Sequence, residues 1–223
     1  GGALFPRRWV EGAGRVVPQG WEVKKLPEII DVNPKRLLSK GAIAPYLDMA
    51  NMPILGPSPG SWINREFGSG MKFMNGDTLV ARITPCLENG KTAFVDFLTD
   101  NEVGWGSTEY IVLRPKGKIP PVFAYILART EDFRTFAIHQ MTGSSGRQRV
   151  PADSLANFYI SSPEVNSQLF HQFGNYVTPL FSRIRESMNQ SRTLAALRDA
   201  LLPKLIAGAV RVADAERVVA RCL

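Results

Sequence analysis

The residue types best suited to chemistry lie in one short stretch, residues 142–150, which reads Thr-Gly-Ser-Ser-Gly-Arg-Gln-Arg-Val. We call this stretch the arginine loop. Its two glycines let the backbone approach a surface closely, and its hydroxyl and guanidinium groups supply hydrogen-bond donors. It contains no pairing of a nucleophile with a base, which bond breaking would need. This inventory favours binding of phosphates and base edges, and the alternative is a polar surface loop without a ligand.

Individual side chains of the arginine loop match the acceptors of a nucleic acid. Arg147 and Arg149 can clamp a phosphate or a guanine edge, and Gln148 can pair with adenine. Ser144 and Ser145 add hydroxyl donors between the glycines. We therefore take these five residues as the first candidates for contacts with DNA.

Five side chains outside the arginine loop are further candidates: Lys91, Asn89, Arg82, Thr108 and Arg65. Lys91 is expected to contact a phosphate and Asn89 a base, because both belong to a predicted turn at 88–91. Arg65 lies in residues 51–70, where prolines and glycines predict a long surface loop. For Thr108 the alternative is a turn that maintains the fold, in which Thr108 and Glu109 satisfy backbone groups.

The sequence offers no catalytic constellation. His139 and His171 are the only histidines, and neither has a partner at metal-ligand spacing. Cys86 has no neighbour that would activate its thiol. Glu22-Val23-Lys24 matches only a fragment of a nuclease metal site, and no phosphate-binding glycine motif is present. We therefore expect no catalytic residues, no metal and no cofactor bound by this chain, although a nuclease stays as a rival hypothesis.

Composition and charge are consistent with a DNA-binding protein of the cytoplasm. The chain has 223 residues, of which 44% are hydrophobic, and a formal net charge of +7. The hydrophobic share is enough for a folded core, and the positive charge suits a polyanionic partner. Cys86 and Cys222 are the only cysteines, which favours a reducing compartment. No apolar run reaches the roughly 18–20 residues of a membrane span.

The pattern along the chain predicts an α+β fold, with a β-rich domain that contains short helices followed by a long helix that forms a coiled coil. Residues 1–20 read as a linker or arm, 21–162 as the β-rich domain, 163–207 as the long-helix region and 208–223 as a tail. Strands are expected at Thr78–Thr84, Thr92–Leu98 and Tyr110–Arg114, because β-branched and aromatic residues there are bounded by turn formers. A helical stretch from Pro120 to Met141 is expected to divide at Thr130.

The long helix is predicted over residues 164–202, a length of about 58 Å. Ser162 is the expected N-cap, with Pro163 at the first helical position, and Pro203 is expected to bend or end the helix. Its apolar residues alternate in steps of three and four from Phe170 to Ile184 and form a narrow seam. The seam weakens at Ser187 and Ser191 and recovers at Leu194. The residues expected to meet a partner helix are Phe173, Val177, Leu180, Ile184, Met188, Leu194 and Leu201. Such a seam favours a partner helix, and packing against the domain's own core is the alternative.

Several ordered motifs resemble those of a known family. Residues 76–84 (Gly-Asp-Thr-Leu-Val-Ala-Arg-Ile-Thr) and 106–115 (Gly-Ser-Thr-Glu-Tyr-Ile-Val-Leu-Arg-Pro) are followed by the arginine loop and by a seam helix ending Leu-Leu-Pro-Lys-Leu-Ile. This order resembles the specificity subunits of type I restriction–modification systems, over roughly residues 20–210. Family members normally carry two target recognition domains and two such helices. The chain therefore resembles a half-subunit or a carboxy-terminal half.

The resemblance implies a DNA-reading adaptor without catalysis of its own. Each recognition domain of the family reads one half of a bipartite site, and antiparallel helices set the spacing between the halves. A methyltransferase partner supplies the S-adenosylmethionine chemistry, and a restriction partner supplies ATP- and Mg-dependent translocation and cleavage. With one domain and one helix, a homodimer through the seam is expected. The alternative is a coiled-coil protein-interaction module with incidental DNA affinity.

Overall fold

The structure is a computed structural model that describes residues 9–12 and 15–220. The chain divides into two compact units, Gly1–Pro179 and Leu180–Leu223. In the described part of the first unit, the strands are β1 (Trp9–Gly12), β2 (Arg15–Pro18), β3 (Glu22–Lys25), β4 (Ile30–Val32), β5 (Ile43–Leu47), β6 (Ile63–Glu66), β7 (Met71–Phe73), β8 (Thr78–Ala81), β9 (Thr92–Phe94), β10 (Gly104–Gly106), β11 (Tyr110–Pro115) and β12 (Tyr159–Ser162).

The helices are short until the last part of the chain. They are α1 (Leu26–Ile29), α2 (Val122–Arg129), α3 (Glu131–His139), a 3-10 helix (Ala152–Asn157), α4 (Gln168–Ile206) and α5 (Val212–Ala220). Thr130 separates α2 from α3 as predicted, because its Oγ1 accepts a hydrogen bond from the Phe133 amide at 3.3 Å. In the described residues, no helix is both long and apolar enough to cross a membrane.

A central antiparallel sheet, in the order β4-β11-β8-β9, is buried on both faces. Successive residues of a strand point to opposite faces, so β11 contributes to two separate cores. Ile111 and Leu113 pack with α1, α2 and α3, whereas Tyr110 and Val112 pack with Leu47, Leu79 and the second sheet. This arrangement explains why β8 and β11 are almost continuously apolar.

The second sheet has the order β6-β5-β10-β7, in which β5 and β10 are parallel and the other pairs are antiparallel. Two small antiparallel pairs, β1 with β2 and β3 with β12, complete the strands. The β-rich domain with short helices and a long final helix confirms the predicted α+β fold class.

Two stretches that were predicted to lack regular structure contain strands. Residues 1–20 include β1 and β2, which pair from Trp9 with Pro18 to Gly12 with Arg15. Residues 51–70 include β6, whose four residues pair with β5. Glycines and prolines of 51–70 flank this strand on both sides, and for that reason the sequence predicted a loop. The strand forms because its residues pair with β5.

The long helix begins and ends later than the sequence predicted. Ser162 is the last residue of β12 and is 1% exposed, and Ser167 is the residue that precedes the helix and accepts the Leu169 amide at 3.2 Å. The helix then continues through Pro203 to Ile206. A turn follows, in which Gly208 has a φ of 68° and the Ala209 amide donates to the Lys204 carbonyl at 2.9 Å. The tail after residue 208 contains α5.

The first turns of α4 pack on the domain that precedes them. Phe170 is 5% exposed and meets Phe123 of α2 edge-on at 5.3 Å between ring centroids. Phe173, which was assigned to the partner seam, also meets Phe123, at 6.1 Å. A Cβ on Gly174 would lie 2.8 Å from a side-chain atom of Pro120, so glycine allows this close approach. The seam available to a partner therefore begins after Phe173.

A buried carboxylate ties the turn before β8 to the rest of the domain. Asp77 is fully buried, and both of its oxygens accept from Arg36 Nη2, at 3.0 and 3.2 Å. Arg114 Nη1 donates to Oδ1 at 2.8 Å, and the Met74 amide donates to Oδ2 at 2.8 Å. Removing the carboxylate would leave two guanidinium groups without their counter-charge.

We expect Asp77→Ala to lower the free energy of unfolding by about 3 kcal/mol, because breaking a buried ion pair strands its partner charges. Urea denaturation with matched slopes measures the change. Asp132→Ala is the control, since Asp132 is exposed, and it should lower stability by less than about 1 kcal/mol, the size of its interaction with the amino-terminal end of α3. Equal midpoints for the two variants would show that the Asp77 network is not stabilising.

Candidate nucleic-acid interface

The base of the arginine loop is fixed by backbone hydrogen bonds. Thr142 and Arg149 exchange amide-to-carbonyl bonds, each 2.9 Å long. The Val150 amide donates to the Arg82 carbonyl at 2.9 Å, and the Thr84 amide donates to the Gln148 carbonyl at 3.0 Å. The end of the loop therefore lies on the segment that continues β8, and its start is paired with that end.

The tip of the arginine loop projects into solvent. Gly143 and Gly146 have φ values of 117° and 79°, which residues with a Cβ rarely adopt. The Arg147 amide donates to the Ser144 carbonyl at 3.0 Å and closes a turn. Ser144, Ser145 and Arg147 are exposed. Within the described residues, the Arg147 side chain has no hydrogen-bond or ion-pair partner, so its donors are available.

A short turn between β10 and β11 brings a carboxylate to the arginine loop. The Arg82 amide donates to the Glu109 carbonyl at 2.9 Å, and the Ser107 hydroxyl accepts the Glu109 amide at 3.1 Å. The Glu109 side chain accepts from Arg149 Nε at 2.8 Å and lies 3.8 Å from Arg82 Nε. Ser107, and not Thr108, thus satisfies the backbone of this turn, and Thr108 is exposed.

Three segments that are distant in sequence therefore form one surface. The arginine loop, Arg82 and Thr108 are brought together by the hydrogen bonds that extend the β8–β11 pairing. The Arg149 side chain remains 41% exposed although its Nε is paired, and Gln148 is half-buried. The surface is rich in donors, with Glu109 as the carboxylate that orders two of its arginines. The sequence predicted Glu109 only as a turn residue, because Arg149, its ion-pair partner, lies 40 positions away.

The turn at 88–91 is built mainly to maintain the fold. Lys91 Nζ donates to the Met49 carbonyl at 2.6 Å, so the ammonium that was predicted to contact phosphate already has a protein acceptor. Arg129 Nη1 donates to the Gly90 carbonyl and Arg134 Nη2 to the Glu88 carbonyl, at 2.5 and 2.8 Å. Asn89 is exposed at the tip of this turn.

Arg65 belongs to a separate cluster on the second sheet. Its guanidinium lies over the rings of Tyr46 and Trp105, with its carbon 4.9 and 5.8 Å from the two centroids. Lys72 Nζ lies 4.7 Å from the Phe67 centroid on the same sheet. Stacking on aromatic faces limits the motion of Arg65 while its donors stay at the surface. The sequence missed this cluster because β6 was not predicted.

The remaining titratable groups do not form a reactive centre. His139 is exposed at the end of α3, and His171 is exposed on α4 with its Nδ1 3.4 Å from Asn175 Nδ2. Burial raises the pKa of the Tyr110 hydroxyl far above its usual range, so it stays protonated and donates to the Leu47 carbonyl at 3.1 Å. Among the described residues, no group of three or more His, Cys, Asp or Glu could ligate a metal ion.

Comparisons with known proteins point to one family. Residues 18–184 match the family model described as the type I restriction modification DNA specificity domain. The type I restriction enzyme EcoAI specificity subunit of Escherichia coli is 33% identical over 161 residues, which are 68% of this chain and 27% of that protein. The EcoEI specificity subunit of Escherichia coli is 29% identical over 160 residues, which are 68% of this chain and 26% of that protein.

Solved structures share the fold. The HsdS subunit from Thermoanaerobacter tengcongensis aligns with a TM-score of 0.57 at 19% identity, over 86% of this chain and 51% of that one. The type I restriction-modification system S subunit from M. genitalium aligns with a TM-score of 0.53 at 17% identity, over 83% and 45% of the two chains. The chain spans about a quarter of the curated relatives that it matches. Because the family model covers most of its length, the chain belongs to the type I restriction modification DNA specificity domain family.

Proposed function

We propose that this chain is a sequence-specific DNA-recognition subunit of a type I restriction–modification complex, which reads one half of a bipartite site in duplex DNA. The observation that supports this most directly is the exposed tip of the arginine loop on a base fixed by backbone hydrogen bonds. Such a loop presents donors to phosphates and base edges without needing to fold on binding. The surface offers no nucleophile–base pair, which favours recognition over catalysis.

The proposed DNA contacts can be grouped by the position of each side chain and by the hydrogen-bond donors that it does not already use within the protein. Arg147, Ser144 and Ser145 at the exposed tip are proposed phosphate contacts, and Gln148 and Arg149 at its base are proposed base contacts. Arg82, Thr108 and Asn89 extend this surface, and Arg65 with its aromatic neighbours forms a second contact region. Lys91 has the weakest support, because its ammonium already donates to Met49.

The catalytic steps are assigned to partner subunits. We propose that a methyltransferase subunit carries S-adenosylmethionine and that a restriction subunit carries ATP and Mg, with this chain binding neither. The assembly would act on DNA in the cytoplasm. Copurification of the chain with the methyltransferase subunit, followed by mapping of the adenines that become methylated, tests the proposal. A complex that methylates no defined sequence would contradict it.

The later part of α4 is proposed to pair with the same helix of a second copy. Leu180, Ile184 and Leu194 are 58%, 38% and 41% exposed, whereas Val177, Met188 and Leu201 are half-buried. Burying a fully exposed apolar side chain stabilises an assembly by about 1.5–3 kcal/mol, and covering the part of each seam residue that is still exposed contributes the corresponding fraction. Two antiparallel helices of about 58 Å would separate two recognition domains by on the order of 17 base pairs. The target would then be an interrupted palindrome.

We expect Arg147→Ala to weaken binding to random duplex DNA and to reduce the slope of log affinity against log salt by about one, because one phosphate contact is lost. Electrophoretic titration at several salt concentrations measures both quantities. Lys118→Ala is the control, since Lys118 is also exposed but lies in the turn between β11 and α2. If both variants bind like the wild type, the arginine loop does not contact DNA.

The same titration tests the two rival functions with the wild-type chain. Negligible affinity for duplex DNA at low salt would favour a protein-interaction module, and magnesium-dependent cleavage of the DNA would favour a nuclease.

Leu180→Glu combined with Ile184→Glu is expected to convert a dimer into a monomer, because two carboxylates would be buried in an apolar seam. Sedimentation at tens of micromolar measures the mass. The control adds the same charges at exposed positions outside the seam, Ser182→Glu with Asn189→Glu, and should remain dimeric. A wild-type chain that sediments as a monomer at that concentration would contradict the proposed pairing.

A further inference from the structure

We propose that Glu109 is a positioning residue that fixes Arg149 for reading a guanine edge in the major groove. This inference rests on the DNA-reading function proposed above and names the base that one side chain reads. Three observations support it: the hydrogen-bond donors that Arg149 already uses, the backbone hydrogen bonds that hold Arg149 and Glu109 in place, and the negative charge of Glu109.

The donors left on Arg149 match guanine. Its Nε donates to Glu109 Oε1 at 2.8 Å, and its Nη1 donates to the Arg147 carbonyl at 3.2 Å. A guanidinium has five N–H donors, so three remain, all on the two terminal nitrogens. Guanine presents two acceptors side by side in the major groove, O6 and N7, which a donor fork can bind together. Adenine presents a donor beside its acceptor there, so the same fork cannot pair with both positions.

Both ends of the Arg149–Glu109 ion pair belong to fixed backbone. Arg149 exchanges two backbone hydrogen bonds with Thr142, and Glu109 accepts the Arg82 amide through its carbonyl. The arginine fork is therefore oriented before DNA arrives, which reduces the side-chain entropy lost on binding. The fork is also accessible, because the Arg149 side chain is 41% exposed.

The carboxylate also acts against binding to arbitrary sequence. Glu109 lies between two arginines, 2.8 Å from Arg149 Nε and 3.8 Å from Arg82 Nε, and offsets their charge. Without it, both arginines would be free to neutralise phosphates on any duplex. With Glu109 present, the two arginines neutralise fewer phosphates, so more of the binding energy depends on the correct base.

Selection of bound duplexes from a randomised pool by the full-length chain tests this assignment. The wild type should enrich a site with a guanine at one position by roughly 10- to 100-fold over other bases. Arg149→Lys keeps the charge but lacks the fork, and Glu109→Gln keeps the shape but lacks the charge. Each should lose the guanine preference at that position only. Glu131→Gln, which removes an exposed carboxylate from α3, should enrich the same site as the wild type.

Binding to random duplex DNA separates a positioning role from a structural one. Glu109→Gln should raise affinity for random duplex and steepen its salt dependence by about one contact, because the released arginine neutralises a phosphate. If the substitution instead damaged the fold, both the affinity for random duplex and its salt dependence would decrease. A guanine preference that survives in Arg149→Lys and Glu109→Gln overturns the assignment of Glu109 while leaving the DNA-reading function intact. A wild-type chain that enriches no sequence overturns both.

Discussion

Backbone hydrogen bonds between β8 and β11 continue beyond the ends of both strands, where the Arg82 amide donates to the Glu109 carbonyl. The Arg82 carbonyl in turn accepts the Val150 amide of the arginine loop. The candidate interface depends on this extension, since it unites three segments that the chain order separates. The strands themselves are constrained by apolar contacts on both faces, with the helices on one side and the second sheet on the other. The energy that fixes the polar surface therefore comes largely from burial elsewhere in the domain.

Asp77 and Glu109 show two uses of a carboxylate near arginines. Asp77 is fully buried and is bound by Arg36 and Arg114, so its charge maintains the fold. Glu109 is partly exposed, and the arginine that it binds most closely still has unused donors. Burial decides the difference, because a buried pair cannot exchange its partner for a ligand without exposing the charge.

The sequence predicted the fold class, the strands around β8 and β11 and the division at Thr130, because each has a strong local signal in apolar runs or a capping residue. It placed the start of α4 too early because Ser162 and Ser167 are equally good local caps, and only the pairing of β12 with β3 distinguishes them. The hydrogen bond from Lys91 to Met49 and the stacking of Arg65 on Tyr46 join residues distant in sequence. No local pattern contains that information.

The tip of the arginine loop lies outside the hydrophobic cores that stabilise the domain. Residues 144–147 make one turn hydrogen bond among themselves, and their side chains lie outside both cores. Substitutions of Ser144, Ser145 or Arg147 alter the chemistry offered to a ligand at little cost in folding free energy, because these side chains are exposed. The donors that the tip presents can thus change by single mutations that need no compensating stabiliser, whereas the base of the loop stays fixed by its backbone hydrogen bonds.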